Sequence, residues 1–181
     1  MSHPTSDKLL RMIYREFLLE PQLLHEVGLE RLPSSLASLL GCGEQEAMSK
    51  LIQSPLLEAV SLDQLRSLMI IRDMSLVSRT AAALSAELKR PEITYEHCCR
   101  MALCYAVIGS QGHVFGALRA AAAKNDRWAR HHYIYGLILG LQQNDVDRAR
   151  WELGMALQHE PYEEGRARIR LALDIVDGKL E

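Results

Sequence analysis

The most reactive residue types gather in one short run, His97-Cys98-Cys99 followed by Cys104. Thiolate and imidazole ligands together suit soft metals, and helix positions four apart share a face. The spacing is not a repeated C-x2-C pair, however, and no second half-site follows. Cys98 and Cys104 are better explained as small apolar fillers of a packed helix. The pair His131-His132 is weaker still, because adjacent residues on a helix point in different directions. Glu163 and Glu164 are neighbours that nothing presents as an acid/base pair. The run Gly109-Ser110-Gln111-Gly112 lacks the strand and the lysine of a phosphate loop. There is no G-x-S-x-G elbow and no H-E-x-x-H helix. The expectation is a chain that is not an enzyme and carries no metal or cofactor.

The bulk composition narrows the class further. Of the 181 residues, 48% are hydrophobic and 24% charged, as in an ordinary globular protein. Only 6% are aromatic, while Ala and Leu are abundant, which favours close-packed helices over sheets. The 21 basic and 23 acidic groups leave a net charge of −2. They are spread evenly along the chain, so nucleic acid is not expected as a partner. No apolar run is long enough to span a membrane. At the N-terminus, Asp7, Lys8, Arg11, Arg15 and Glu16 break up what a secretory leader would need as an apolar core. Four cysteines without a framework spacing point to a reducing, cytoplasmic setting.

The elements that must position these residues read as helices throughout. Leu10, Ile13, Tyr14, Phe17 and Leu18 form one stripe of a helix over 7–19, with Thr5 or Ser6 as its cap. Pro21 and Pro33 bracket a shorter segment holding Leu23, Leu24, Val27 and Leu32, and the Gly41-Cys42-Gly43 break precedes a helix over 44–53. Ser61-Leu62-Asp63-Gln64 has the capping-box arrangement. Beyond it, helices are expected over 62–73, 75–89, 94–109, 112–124, 128–142, 145–159 and 162–177. The turns are short, so neighbouring helices must run antiparallel.

Two of these hairpins repeat. Cys98-x2-Met101-Ala102-x2-Tyr105 is followed 34 residues later by His132-x2-Tyr135-Gly136-x2-Leu139. Val114, Leu118 and Ala121 correspond to Ala149, Leu153 and Ala156 at a spacing of 35, which places one inserted residue around 142–145. Asp126 and Pro161 share the closing place. This pattern resembles the tetratricopeptide repeat, in which a small residue and a larger packing residue follow an aromatic on the first helix. Cys98 and His132 stand where the family has Trp, and Asp126 where it has Pro.

The resemblance implies an all-α fold: a right-handed solenoid of antiparallel helix hairpins. Residues 1–60 would form an irregular helical extension and 61–181 the repeats, with units at 61–94 (degenerate, with Ala83, Ala86 and Pro91 in its second helix), 95–128 and 129–163. Residues 162–177 would be the terminal capping helix, with Ile169, Leu173 and Val176 toward the core and Arg166, Arg168 and Arg170 on a solvated face. The family's first helices line a concave groove, which here would present Glu96, Cys99, Leu103, Ala106 and Val107, then Arg130, Tyr133, Leu137, Gly140 and Leu141. Cys99, Leu103, Val107, Arg130, Tyr133 and Leu137 are the candidate partner-binding residues, suited to an apolar protein segment that Arg130 would orient through an acidic group. The same residues could instead pack beneath the helix at 7–19. The implied role is an adaptor or chaperone, in its specific form one serving bacterial secretion or complex assembly. The alternatives are a self-associating structural subunit using Phe115 and Trp151, and a thiol-based metal or redox protein using Cys98, Cys99 or Cys104.

Overall fold

The computed structural model describes residues 4–20, 24–25, 29–69, 92–107, 109, 111–142 and 145–180. Every regular element among them is a helix: α1 (Pro4–Leu18), α2 (Leu32–Leu40), α3 (Glu44–Gln53), α4 (Leu62–Met69), α5 (Tyr95–Val107), α6 (Gln111–Lys124), α7 (Ala129–Gln142), α8 (Val146–His159) and α9 (Glu163–Val176). The all-α reading holds. None of these helices is long and apolar enough to cross a membrane. The helix expected over 75–89, with Ala83, Ala86 and Pro91, lies outside the described residues, as do Pro21, Leu23 and Val27, residues 70–73 and the insertion at 143–144.

Local chemistry sets the helix ends. At α4 the capping box forms: Gln64 N–H donates to Ser61 Oγ at 3.2 Å and Ser61 N–H to Gln64 Oε1 at 3.1 Å. Gly41 closes α2 at φ +65°, a conformation that favours glycine, and Cys42 N–H returns to the Ala37 carbonyl. Asp145 caps α8 through Arg148 N–H at 3.0 Å. The first helix begins earlier than its sequence suggested. Pro4 sits in its first turn, where a missing N–H costs nothing, so Thr5 and Ser6 lie inside the helix.

Helices α5 and α6 pack as one hairpin and α7 and α8 as the next, with α9 laid on α8. The matched second-helix residues Val114, Leu118, Ala121, Ala149, Leu153 and Ala156 are all buried in these contacts. Gly136 shows why a small residue recurs on the first helix: a Cβ there would sit 2.5 Å from Leu153 Cγ and 3.2 Å from the Ala149 carbonyl. On α9 the buried face is Ile169, Ala172 and Ile175, while Leu173 and Val176 are half-buried. The expected stripe is therefore correct at Ile169 and rotated by one position further on.

The first helix holds the two halves of the chain together. It packs across α5, α7 and α9, and every residue from Met12 to Leu18 is buried. A surface helix buries one stripe, whereas this one is enclosed nearly all round. On its other side, Arg15 donates to the Ile52 carbonyl at 3.1 Å, and Arg11 donates to the carbonyls of Leu57 and Val60 at 3.1 and 2.6 Å. These guanidiniums bind carbonyls at the end of α3 and in the turns after it, the Leu57 carbonyl also accepting from Val60 N–H.

Two glycines of the second hairpin should respond oppositely to the same change. Gly136→Ala should destabilise by about 1–3 kcal/mol, because Leu153 must move. Gly154→Ala, with nothing within 4 Å, should stabilise by about 0.5–1 kcal/mol through helix propensity. Thermal melts of both variants check this; equal shifts would contradict the close approach of α7 and α8.

Candidate functional site

The face formed by α5, α7 and α9 is occupied by α1. Leu103 and Leu137 are fully buried, in one core with Leu9, Met12, Ile13 and Phe17. Cys99 and Tyr133 are buried as well, and Val107 is half-buried at the edge of that core. At Gly140 an added Cβ would lie 2.9 Å from both Leu9 and Val176, so glycine is what lets α1, α7 and α9 meet.

Arg130 does hold an acid, one from this chain. Its guanidinium grips Glu16 and donates to Glu20 at 3.0 Å. Arg15 stands 3.2 Å and Arg168 3.6 Å from the same Glu16 carboxylate. Burial alone pushes the Glu16 carboxyl upward, but Arg130, Arg168 and Arg15 outweigh it and hold it below the usual carboxylate range. Burial likewise opposes the charge on Arg130, and Glu16 and Glu20 more than restore it. The Tyr133 phenol, buried beside Glu16, is pushed up by desolvation and then by that negative charge. The solvated reading of α9 fits Arg170, exposed and paired with Glu163, whereas Arg166 also donates to the Leu157 carbonyl at 3.0 Å and Arg168 turns inward to Glu16.

Beyond the end of α1, at Glu20, the face stays open as a cleft of about 690 Å³. Tyr95, Glu96 and Arg100 line it from α5, Arg130 from α7, and Glu160 and Tyr162 from the turn between α8 and α9. Trp128 borders it at 47% exposure and Tyr162 at 74%. These two aromatics precede α7 and α9 and stand 34 residues apart, the repeat's own period. That spacing was the available signal for them, overlooked because they fall just outside the helices.

Behind the cleft lies a histidine cluster. His131 N–H donates to the Tyr95 hydroxyl oxygen at 2.8 Å, and the hydroxyl lies 2.7 Å from His131 Nδ1. The hydroxyl proton has two acceptors in reach, His131 Nδ1 and, at 3.5 Å, the Trp128 carbonyl. Burial and the neighbouring His132 pull His131 down to about 4, so it is neutral near pH 7. His132 is opposite in character. Its Nδ1 faces Glu152 Oε2 at 2.6 Å and its Nε2 the Asp126 carbonyl at 2.8 Å. Two acceptors call for two ring protons; burial opposes the charge, but Glu152 and Asp126 raise the His132 pKa. Adjacent helix residues were expected to diverge, yet these rings lie 4.0 Å apart, drawn together by partners on α5 and α8.

All four cysteines stand as thiols, and burial pushes Cys98 upward and Cys99 up to about 12, so neither is a ready nucleophile. Among the described residues no three His, Cys, Asp or Glu side chains are grouped to hold a metal ion. Trp151 is 51% exposed beneath the Arg148 guanidinium, 4.9 Å from its ring centroid, while Phe115 is half-buried against Tyr135. Compared with protein-family models, curated proteins and solved structures, the chain matches none.

The His132 arrangement fixes a pH dependence. A base whose pKa is raised on folding stabilises fully below its unfolded value, about 6.5, and loses that contribution as pH rises through the folded value. His132→Gln should therefore cost about 1–3 kcal/mol at pH 6 and progressively less toward pH 9. His131 is held down partly by His132, so the variant also relieves His131, which narrows the difference below about pH 6.5. Melting both proteins across this range checks it; a constant difference would mean that His132 carries no charge.

Proposed function

We propose that the chain is a tetratricopeptide-like solenoid acting as an adaptor or chaperone, which holds a segment of a partner protein in the cleft beyond α1. The observation that carries this reading is the pair of exposed aromatics, Trp128 and Tyr162, bordering an open concavity at repeat spacing. Large aromatics with one side in water are the usual anchors of protein interfaces, since they bury much area at low entropic cost. The two helix hairpins, with their matched buried residues and the close approach at Gly136, support the solenoid reading.

The partner site shifts in consequence. With Leu103 and Leu137 under α1, the accessible contacts are those of the rim: Glu96, Trp128 and Tyr162. Service in bacterial secretion or complex assembly is the specific form favoured by the family resemblance, and it rests on that analogy alone.

Affinity capture from the native cell tests this reading. A partner recovered with the wild-type chain should fall about ten-fold or more with Trp128→Ala/Tyr162→Ala, while the melting temperature stays close to wild type. Recovery of the same proteins in the same amounts by both chains would rule the cleft out. Leu103→Glu is unsuitable as a probe, because it places a charge in the core.

A further inference from the structure

We infer that the segment taken up by this cleft presents a lysine or arginine side chain flanked by apolar residues; this rests on the partner-binding reading above. The argument is charge complementarity joined to exposed aromatic surface. Three carboxylates line the cleft, Glu20, Glu96 and Glu160, against two guanidiniums, Arg100 and Arg130, and the His159 imidazole. Arg130 is already committed to Glu16 and Glu20, which removes Glu20 as well. Among the described residues neither Glu96 nor Glu160 has a cationic partner, although Glu160 accepts a hydrogen bond from Tyr162 N–H at 3.1 Å. Two unmatched carboxylates thus face one unmatched guanidinium.

The helix starts weigh the other way. Both α5 and α7 begin at this cleft, and their dipoles by themselves favour an anion. Glu96 already occupies that role in the first turn of α5, and an incoming carboxylate would meet its repulsion together with that of Glu160. A cation avoids both and gains the faces of Trp128 and Tyr162, whose quadrupoles attract positive charge. The apolar flanks would cover Pro161 and the Tyr95–Trp128 pair, which packs edge-to-face at 4.8 Å.

The test uses the full chain carrying Trp151→Phe, so that Trp128 is the sole indole. Three peptides are titrated at low ionic strength: acetyl-GLKPLKG-amide and its counterparts with both lysines replaced by norleucine or by glutamate. The lysine peptide should perturb Trp128 emission and bind about ten-fold more tightly than the norleucine peptide, with the glutamate peptide weakest. Glu96→Gln, an exposed change that leaves the fold intact by its melting curve, should weaken the lysine peptide about two- to five-fold and leave the norleucine peptide unchanged. Equal binding of lysine and norleucine peptides overturns the cationic assignment while the cleft remains a peptide site. Tightest binding by the glutamate peptide overturns its sign. If no peptide perturbs Trp128, both this inference and the cleft itself are wrong.

Discussion

A carboxylate buried to 2% exposure, as Glu16 is, persists in its charged form only where opposite charge meets it from nearly every side. Three arginines do so, one from its own helix, one from α7 and one from α9. Such a cluster adds little net stability over a well-packed apolar one, since desolvation consumes most of the attraction. Its force lies in the asymmetry: deleting one partner strands the others and costs about 3–5 kcal/mol. The cluster therefore fixes where α1 lies relative to α7 and α9, and with α1 the register of everything packed on it.

From that placement the division of labour along the chain follows. Leu9, Met12, Ile13 and Phe17 fill the face that the first helices of the hairpins offer, and Arg11 and Arg15 reach the opposite way to the turns around α3. A helix enclosed on both sides is structural in the strict sense, since its removal would expose two apolar surfaces at once. The face formed by α5, α7 and α9 is thus largely spent on folding. The stretch beyond α1, where the helix starts of α5 and α7 and the turn before α9 meet at the cleft, is the part of that face proposed for recognition.

Most of the fold was legible in the sequence because helical hairpins depend on local signals. Ser61-Leu62-Asp63-Gln64, Gly41 and Asp145 punctuate helices through contacts within four residues, and the repeat compares the chain with itself. Gly136 could be assigned to a close approach on that basis. What the sequence left open is what depends on distant residues. Whether Leu103 and Leu137 face a ligand or α1 is decided by residues roughly a hundred positions away, and an apolar stripe does not name its partner. Arg130 was expected to orient an acidic group of a partner, and its spacing gave no sign that Glu16 and Glu20 of this chain would pair with it. Likewise, no helical wheel brings His131 and His132 together; Tyr95 and Glu152, on two other helices, do that.

Those long-range contacts also bear on the binding proposed for the cleft. Trp128 rests edge-on against Tyr95, and Tyr95 is held by both the backbone N–H and the ring of His131. His131 in turn lies against His132, which Glu152 and the Asp126 carbonyl hold from either side, with Arg148 securing Glu152 at 2.8 Å. The exposed indole thus stands at the end of a run of ring contacts and hydrogen bonds that reaches Glu152. An aromatic anchored in this way loses little further freedom when a partner covers it, so more of the contact energy remains as affinity. The same connection makes the cleft sensitive to His132, because losing its second proton removes one of the two bonds that brace this frame.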